Sequence, residues 1–115
     1  YMSVVKMNEE SFRRSLKGAG PLLVEFWAPW CVYCRRLAPA VEELSRQYGG
    51  RLTVAEINVD STAALADREG IDTLPTLSLY QSGAKLGSIV APQSKADIED
   101  FLRPRSWLIW SGYTT

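Results

Sequence analysis

The chain opens with an apolar pair, Val4 and Val5, and then turns to a helical pattern. Asn8 reads as an N-cap and Glu9 and Glu10 as an acidic first turn, because an acceptor side chain and negative charge both suit the free N–H groups there. Phe12 and Leu16 mark the buried side of this helix, and Gly18, Gly20 and Pro21 end it. Residues 22–27 are apolar apart from Glu25, the pattern of a central strand covered on both faces. From Cys31 to Tyr48, the residues Leu37, Val41, Leu44 and Tyr48 recur at helical spacing, and Glu42 stands one turn before Arg46. Pro39 lies inside this helix and predicts a kink, not a stop, since the periodicity continues beyond it until Gly49 and Gly50.

Residues 51–59 are rich in β-formers, with Leu52, Val54, Ile57 and Val59 as the apolar set. Asp60 or Ser61 can then cap a short helix over Thr62 to Glu69, which Gly70 ends. Thr76 to Tyr80 and Lys85 to Val90 read as two strands of a hairpin connected through residues 81–84. Ser94 and Asp97 have capping-box spacing, and Ile98, Phe101 and Leu102 form the buried stripe of a last helix that Pro104 ends. The order β-α-β-α-β-α-β-β-α is an α/β pattern, with a central sheet and helices on its faces.

Length and composition narrow the class. At 115 residues, with 46% hydrophobic and 23% charged residues, the chain suits one globular domain. Thirteen basic and thirteen acidic residues leave no net charge, and no basic face is visible, so nucleic acid is not an expected partner. The apolar runs at 22–27 and 107–110 fall far short of the roughly 20 residues of a membrane span. The first residues carry no basic flank followed by an apolar stretch, so no secretory signal is expected in them. There is no histidine, which removes Ser-His-Asp and Cys-His nucleophile systems.

The chain has two cysteines, Cys31 and Cys34. A structural zinc site takes four ligands drawn mostly from Cys and His, and the sequence offers two. As a staple the pair closes a very short loop, where little unfolded-chain entropy is removed. Redox exchange fits the position best, with a metal half-site or an inert pair as alternatives. Both cysteines start a helix that follows a buried strand, where orphan N–H groups and the helix dipole favour an anion. A thiol with pKa about 8.5 is about 3% thiolate at pH 7, whereas one lowered to about 7 is about half ionised. Cys31, at the exposed start of the helix, is the expected attacking thiolate; Cys34, one turn deeper, is the expected resolving thiol. Glu25 is costly in an apolar strand unless it is paired or protonated, and a salt bridge or a reach to the sheet edge would satisfy it.

Phe26-Trp27-Ala28-Pro29-Trp30-Cys31-Val32-Tyr33-Cys34, Pro39 in the following helix, and Leu74-Pro75-Thr76 before a later strand together resemble the thioredoxin superfamily. The resemblance covers about residues 3 to 103 and implies a thioredoxin fold, a central mixed β-sheet flanked by helices on both faces. It implies that Pro75 is cis and faces the disulfide, so that Leu74, Pro75 and Thr76 offer backbone to an extended substrate. Trp30, Val32, Tyr33 and Val90 are the other expected substrate contacts. The family's buried acid exchanges protons with the resolving cysteine, which implies the same role for Glu25 toward Cys34. A Lys often accompanies that acid on the next strand, whereas this chain has Glu56.

Other departures concern specificity and direction. Val32-Tyr33 stands where thioredoxins have Gly-Pro and isomerase domains Gly-His, and the missing histidine favours reduction over oxidation. Ala91 and Pro92 follow Val90, near where thioredoxins have a groove-forming Gly. Arg35 and Arg36 can steer acidic partners, stabilise the thiolate, or simply face solvent. The resulting expectation is a thiol-disulfide oxidoreductase that reduces protein disulfides and needs no cofactor beyond a Cys31–Cys34 disulfide. An oxidase or isomerase, and a redox-silent peptide-binding module, are the alternatives. Expected partners are disulfide-containing proteins and an electron donor such as a thioredoxin reductase. The protein is expected to be a monomer and cytoplasmic, with periplasm or lumen as alternatives. Residues 1–103 form the expected domain, and 104–115 a tail that packs on it, meets a partner, or has no role.

Overall fold

In the computed structural model, which describes residues 4–106, five strands form one mixed sheet in the order β1-β3-β2-β4-β5. The strands are β1 (Val5–Lys6), β2 (Leu22–Trp27), β3 (Thr53–Asn58), β4 (Thr76–Gln81) and β5 (Ala84–Val90). The helices are α1 (Glu9–Leu16), α2 (Val32–Gln47), α3 (Ala63–Arg68) and α4 (Lys95–Leu102). β1 and β2 each run parallel to β3, while β2–β4 and β4–β5 are antiparallel. This is the α/β architecture and mixed sheet anticipated from the sequence. The strongly apolar 22–27 segment occupies the middle of the sheet.

Because side chains alternate along a strand, β2 feeds both sides of the molecule. Leu22, Val24 and Phe26 pack with Phe12 of α1 and Leu65 of α3. Leu23 faces the other way, into a cluster with Leu37, Val41 and Leu44 of α2 and Ile98, Phe101 and Leu102 of α4. Glu25, two residues on, therefore lies on the α2 side of the sheet, and that placement defines the site. α1 is fixed at its start by a reciprocal Asn8–Ser11 capping box, and Phe12 meets the Tyr80 ring edge-on at 5.2 Å.

Several local expectations change. The hairpin connection is two residues, Ser82 and Gly83, not four; both have positive φ, as a tight type I′ turn requires. Asp60 and Ser61 do not cap α3 but belong to a 3-10 turn over Val59–Ser61, capped by Asn58. Thr62 stands at the N-cap of α3 without a side-chain capping bond. Ser94 caps α4 as expected, yet Asp97 reaches back to the Gln93 N–H, so the box is displaced by one residue. α2 continues through Pro39, and the Glu42–Arg46 pair forms at 3.7 Å. The packed domain extends past residue 103. Ser106 is buried and its hydroxyl bonds Gln81, while the Arg105 guanidinium lies 4.4 Å from the centre of the Phe101 ring. The apolar stretch 107–110, and the roles considered for it, lie outside the described residues. Among the described residues, no helix is long and apolar enough to cross a membrane.

Candidate active site

Ala28 O accepts the Cys31 N–H at 3.1 Å and closes a turn with Pro29 at its second position, where proline's fixed φ is favourable. The turn leads the chain from β2 into α2 and leaves Trp30 66% exposed at its tip. Trp30 Nε1 donates to Asp60 Oδ1 at 3.1 Å, and Arg35 donates to Pro29 O, fixing the turn from both sides. Cys31 is the N-cap of α2 and is disulfide-bonded to Cys34, with Cα atoms 5.3 Å apart.

The Cys31 sulfur also accepts the Cys34 N–H at 3.1 Å. A negative charge developing on that sulfur meets a backbone donor and the positive end of a 16-residue helix. Cys31 is less open than its terminal place in the helix suggested. It is 7% exposed against 3% for Cys34, because Ala28, Tyr33, Val59 and Leu74 crowd the pair. Exposure belongs instead to its neighbours Trp30 and Val32.

Glu25 is 4% exposed on the central strand, away from any sheet edge, and among the described residues it makes no ion pair. Burial, reinforced by the negative charge of Glu56, raises its pKa from 4.5 to about 7. The two carboxylates are neighbours because Glu25 and Glu56 are partners in the parallel β2–β3 register. Glu25, Glu56 and Cys34 line one cavity of about 160 Å³ together with Trp27, Arg35 and Ala38. An acid titrating near neutrality thus lines the same partly open pocket as the inner cysteine.

The Leu74–Pro75 peptide bond is cis. Leu74 packs against the cysteine pair and also lines a cleft of about 250 Å³ with Trp30, Val59, Ala66 and Ile71. Pro75 is buried, and its carbonyl accepts the Ala91 N–H at 2.8 Å. Thr76 is turned inward, with its hydroxyl on Thr73 O, so it braces the loop instead of facing the cleft. Val90 is 52% exposed and pairs with Thr76 across the β4–β5 ladder. Tyr33 reaches from α2 to the segment after β5, donating its hydroxyl to Pro92 O at 2.9 Å. Ala91, between Val90 and that contact, holds a left-handed conformation with φ of 49°. The sequence reading did not include Asp60 as the anchor of Trp30, nor Val59, Ala66 and Ile71 as cleft walls. No periodic signal joins residues 30 positions apart, and Asp60 had a sufficient local explanation as a helix cap.

A family model described as Thioredoxin matches residues 3–104. Thioredoxin 1 of Nostoc sp. is 33% identical over 101 residues, covering 87% of this chain and 94% of that protein. Thioredoxin of Alicyclobacillus acidocaldarius is 33% identical over 97 residues, 84% and 92% of the two chains. Thioredoxin 1 of Synechococcus elongatus is 36% identical over 87 residues, covering 76% and 81%. With a matching family model over almost the whole described chain and a disulfide formed within its Cys-x-x-Cys segment, the chain belongs to the thioredoxin family of protein-disulfide oxidoreductases.

Proposed function

We propose that the protein reduces disulfide bonds in other proteins by dithiol exchange, with Cys31 as nucleophile, Cys34 as resolving thiol and Glu25 as proton acceptor. The observation that carries this reading is the position of the Cys31 sulfur at the start of α2, accepting the Cys34 N–H. In the reduced protein, Cys31 thiolate attacks one sulfur of a substrate disulfide. A mixed disulfide forms and the other substrate sulfur leaves as a thiolate, which takes a proton from solvent. Glu25 then accepts the Cys34 thiol proton, and Cys34 attacks the Cys31 sulfur. The second substrate thiolate leaves and is protonated by solvent. Two electrons have passed to the substrate, and the Cys31–Cys34 disulfide remains.

The substrate segment lies along Leu74 and Pro75, with apolar side chains against Trp30, Val32, Tyr33 and Val90 and in the adjoining cleft. Thr76 supports that surface from within. A dithiol donor such as a thioredoxin reductase restores the cysteines, and a reducing compartment such as the cytoplasm suits this cycle. Both sulfurs, the acid and the cleft come from one chain, which favours a working monomer.

Insulin reduction driven by dithiothreitol tests the reading. Cys31→Ser should abolish turnover, and Cys34→Ser should halt at a trappable mixed disulfide. Substrate binding by Cys31→Ser, together with a wild-type protein that has no reductase activity, would support a redox-silent peptide-binding module instead.

A further inference from the structure

The cleft beside the cysteine pair has apolar walls, but the charged residues that line it, Asp67 at the end of α3 and Asp72 after it, are both carboxylates and both exposed. Leu74 packs against Cys31 and Cys34 and also forms part of the cleft wall, so the cleft adjoins the disulfide. Asp72 stands two residues before Leu74, which keeps the two Cα atoms within about 7 Å of each other. Asp72 accepts the Thr73 hydroxyl at 3.2 Å, and among the described residues neither Asp67 nor Asp72 is in an ion pair. Arg68, the cation next to Asp67 in the chain, is taken by Glu9 at 2.5 Å. Trp30 lines the same cleft, and because its indole N–H is held by Asp60, the exposed ring itself is what it offers to a ligand.

We propose that this cleft is a subsite for a lysine or arginine side chain that the substrate carries close to the cysteine attacked by Cys31. The proposal rests on the dithiol exchange along Leu74 and Pro75 set out above, and it names the class of disulfide the protein takes, one flanked by a basic residue. The aliphatic stem of such a side chain covers the Ile71 and Leu74 walls while its charged head stays at the rim. There the cation pairs with Asp67 and Asp72, and the Trp30 ring presents a face to which a cation is attracted. A wholly apolar side chain would take water from the two carboxylates and return no donor, and an acidic one would meet two like charges. Thirteen basic and thirteen acidic residues cancel over the whole chain, so this preference is set locally, at the cleft.

Single-turnover reduction of disulfide-linked peptide dimers by the reduced protein tests the subsite. The peptides differ at one position, occupied by lysine, norleucine or glutamate and placed in turn at each of the two residues on either side of the cysteine. Each rate constant is divided by that for dithiothreitol, an uncharged thiol, to remove the effect of the charge on the disulfide itself. At one position or more, lysine should react about fivefold faster than norleucine and glutamate slower than both. The lysine-to-norleucine ratio should fall toward one at about 0.5 M sodium chloride, where exposed charges are screened. It should also fall toward one in the double variant Asp67→Asn/Asp72→Asn, and Asp72→Lys should turn the preference toward glutamate. Lysine and norleucine peptides reacting alike at all four positions, norleucine reacting fastest, or a lysine preference that survives in the double variant would each overturn the subsite and leave the oxidoreductase reading intact. A wild-type protein that reduces none of the peptides would overturn both.

Discussion

Glu25 is where the energetics of stability and of reaction meet. Its native pKa of about 7 exceeds the ordinary value of 4.5, so between those pH values the folded protein holds a proton that the unfolded chain releases. Stability therefore falls as pH rises through this window, and the full penalty is present above about pH 7. The difference corresponds to about 3 kcal/mol. Oxidised Glu25→Gln should be more resistant to urea than wild type at pH 8 by up to that amount, and the two should converge at pH 4. A gap independent of pH would show that ionisation at this position is not what costs stability. The same penalty leaves Glu25 about half ionised at neutral pH, where it can accept a proton and return it. The sequence made Glu25 conspicuous as one charge in an apolar strand. The family resemblance also set Glu56 beside it on the next strand, where two neighbouring acids raise the pKa of one, and the β2–β3 register bears this out.

At the scale of elements, the active-site turn is held by contacts that cross long sequence distances. Tyr33 in the first turn of α2 bonds the carbonyl of Pro92, while Pro75 O accepts the Ala91 N–H, so α2, the cis-proline loop and the end of β5 form one linked surface. Tyr33→Phe removes one part-buried hydrogen bond and should lower stability by about 1 kcal/mol in urea unfolding. No change in the unfolding midpoint would mean that the hydroxyl does not tie the helix to the loop. Periodicity made most of the elements legible: the apolar run of β2, the Leu37–Val41–Leu44 stripe of α2 and the stripe of α4 all fall inside the observed elements. It did less well where local chemistry has two outcomes. Asp60 and Ser61 have the composition of helix caps but lie in a 3-10 turn, and the Ser82–Gly83 turn is tighter than the polar stretch around it suggested. Such choices are settled by the strands that the connection must join.

Over the whole molecule, the sheet places two long-range pairings against one helix end. Parallel pairing with β3 sets Glu56 beside Glu25, and antiparallel pairing with β4 brings the segment after Pro75 to the same central strand. The cysteines, the cis proline and the buried acid could be named from motifs and family resemblance. The cleft of Val59, Ala66 and Ile71 could not, because it is assembled from a turn, a short helix and a loop that share no sequence pattern. The net charge of zero adds nothing to recognition beyond removing polyanions from the expected partners. The absence of histidine bears on the direction of electron flow, since no imidazolium stands beside Cys31 to favour its thiolate strongly. The reduction potential of the Cys31–Cys34 pair, measured by equilibration against defined thiol-disulfide buffers, tests the central claim. The account predicts a value close to that of thioredoxins, about −270 mV, whereas a value near −120 mV, in the range of dedicated oxidants, would contradict it.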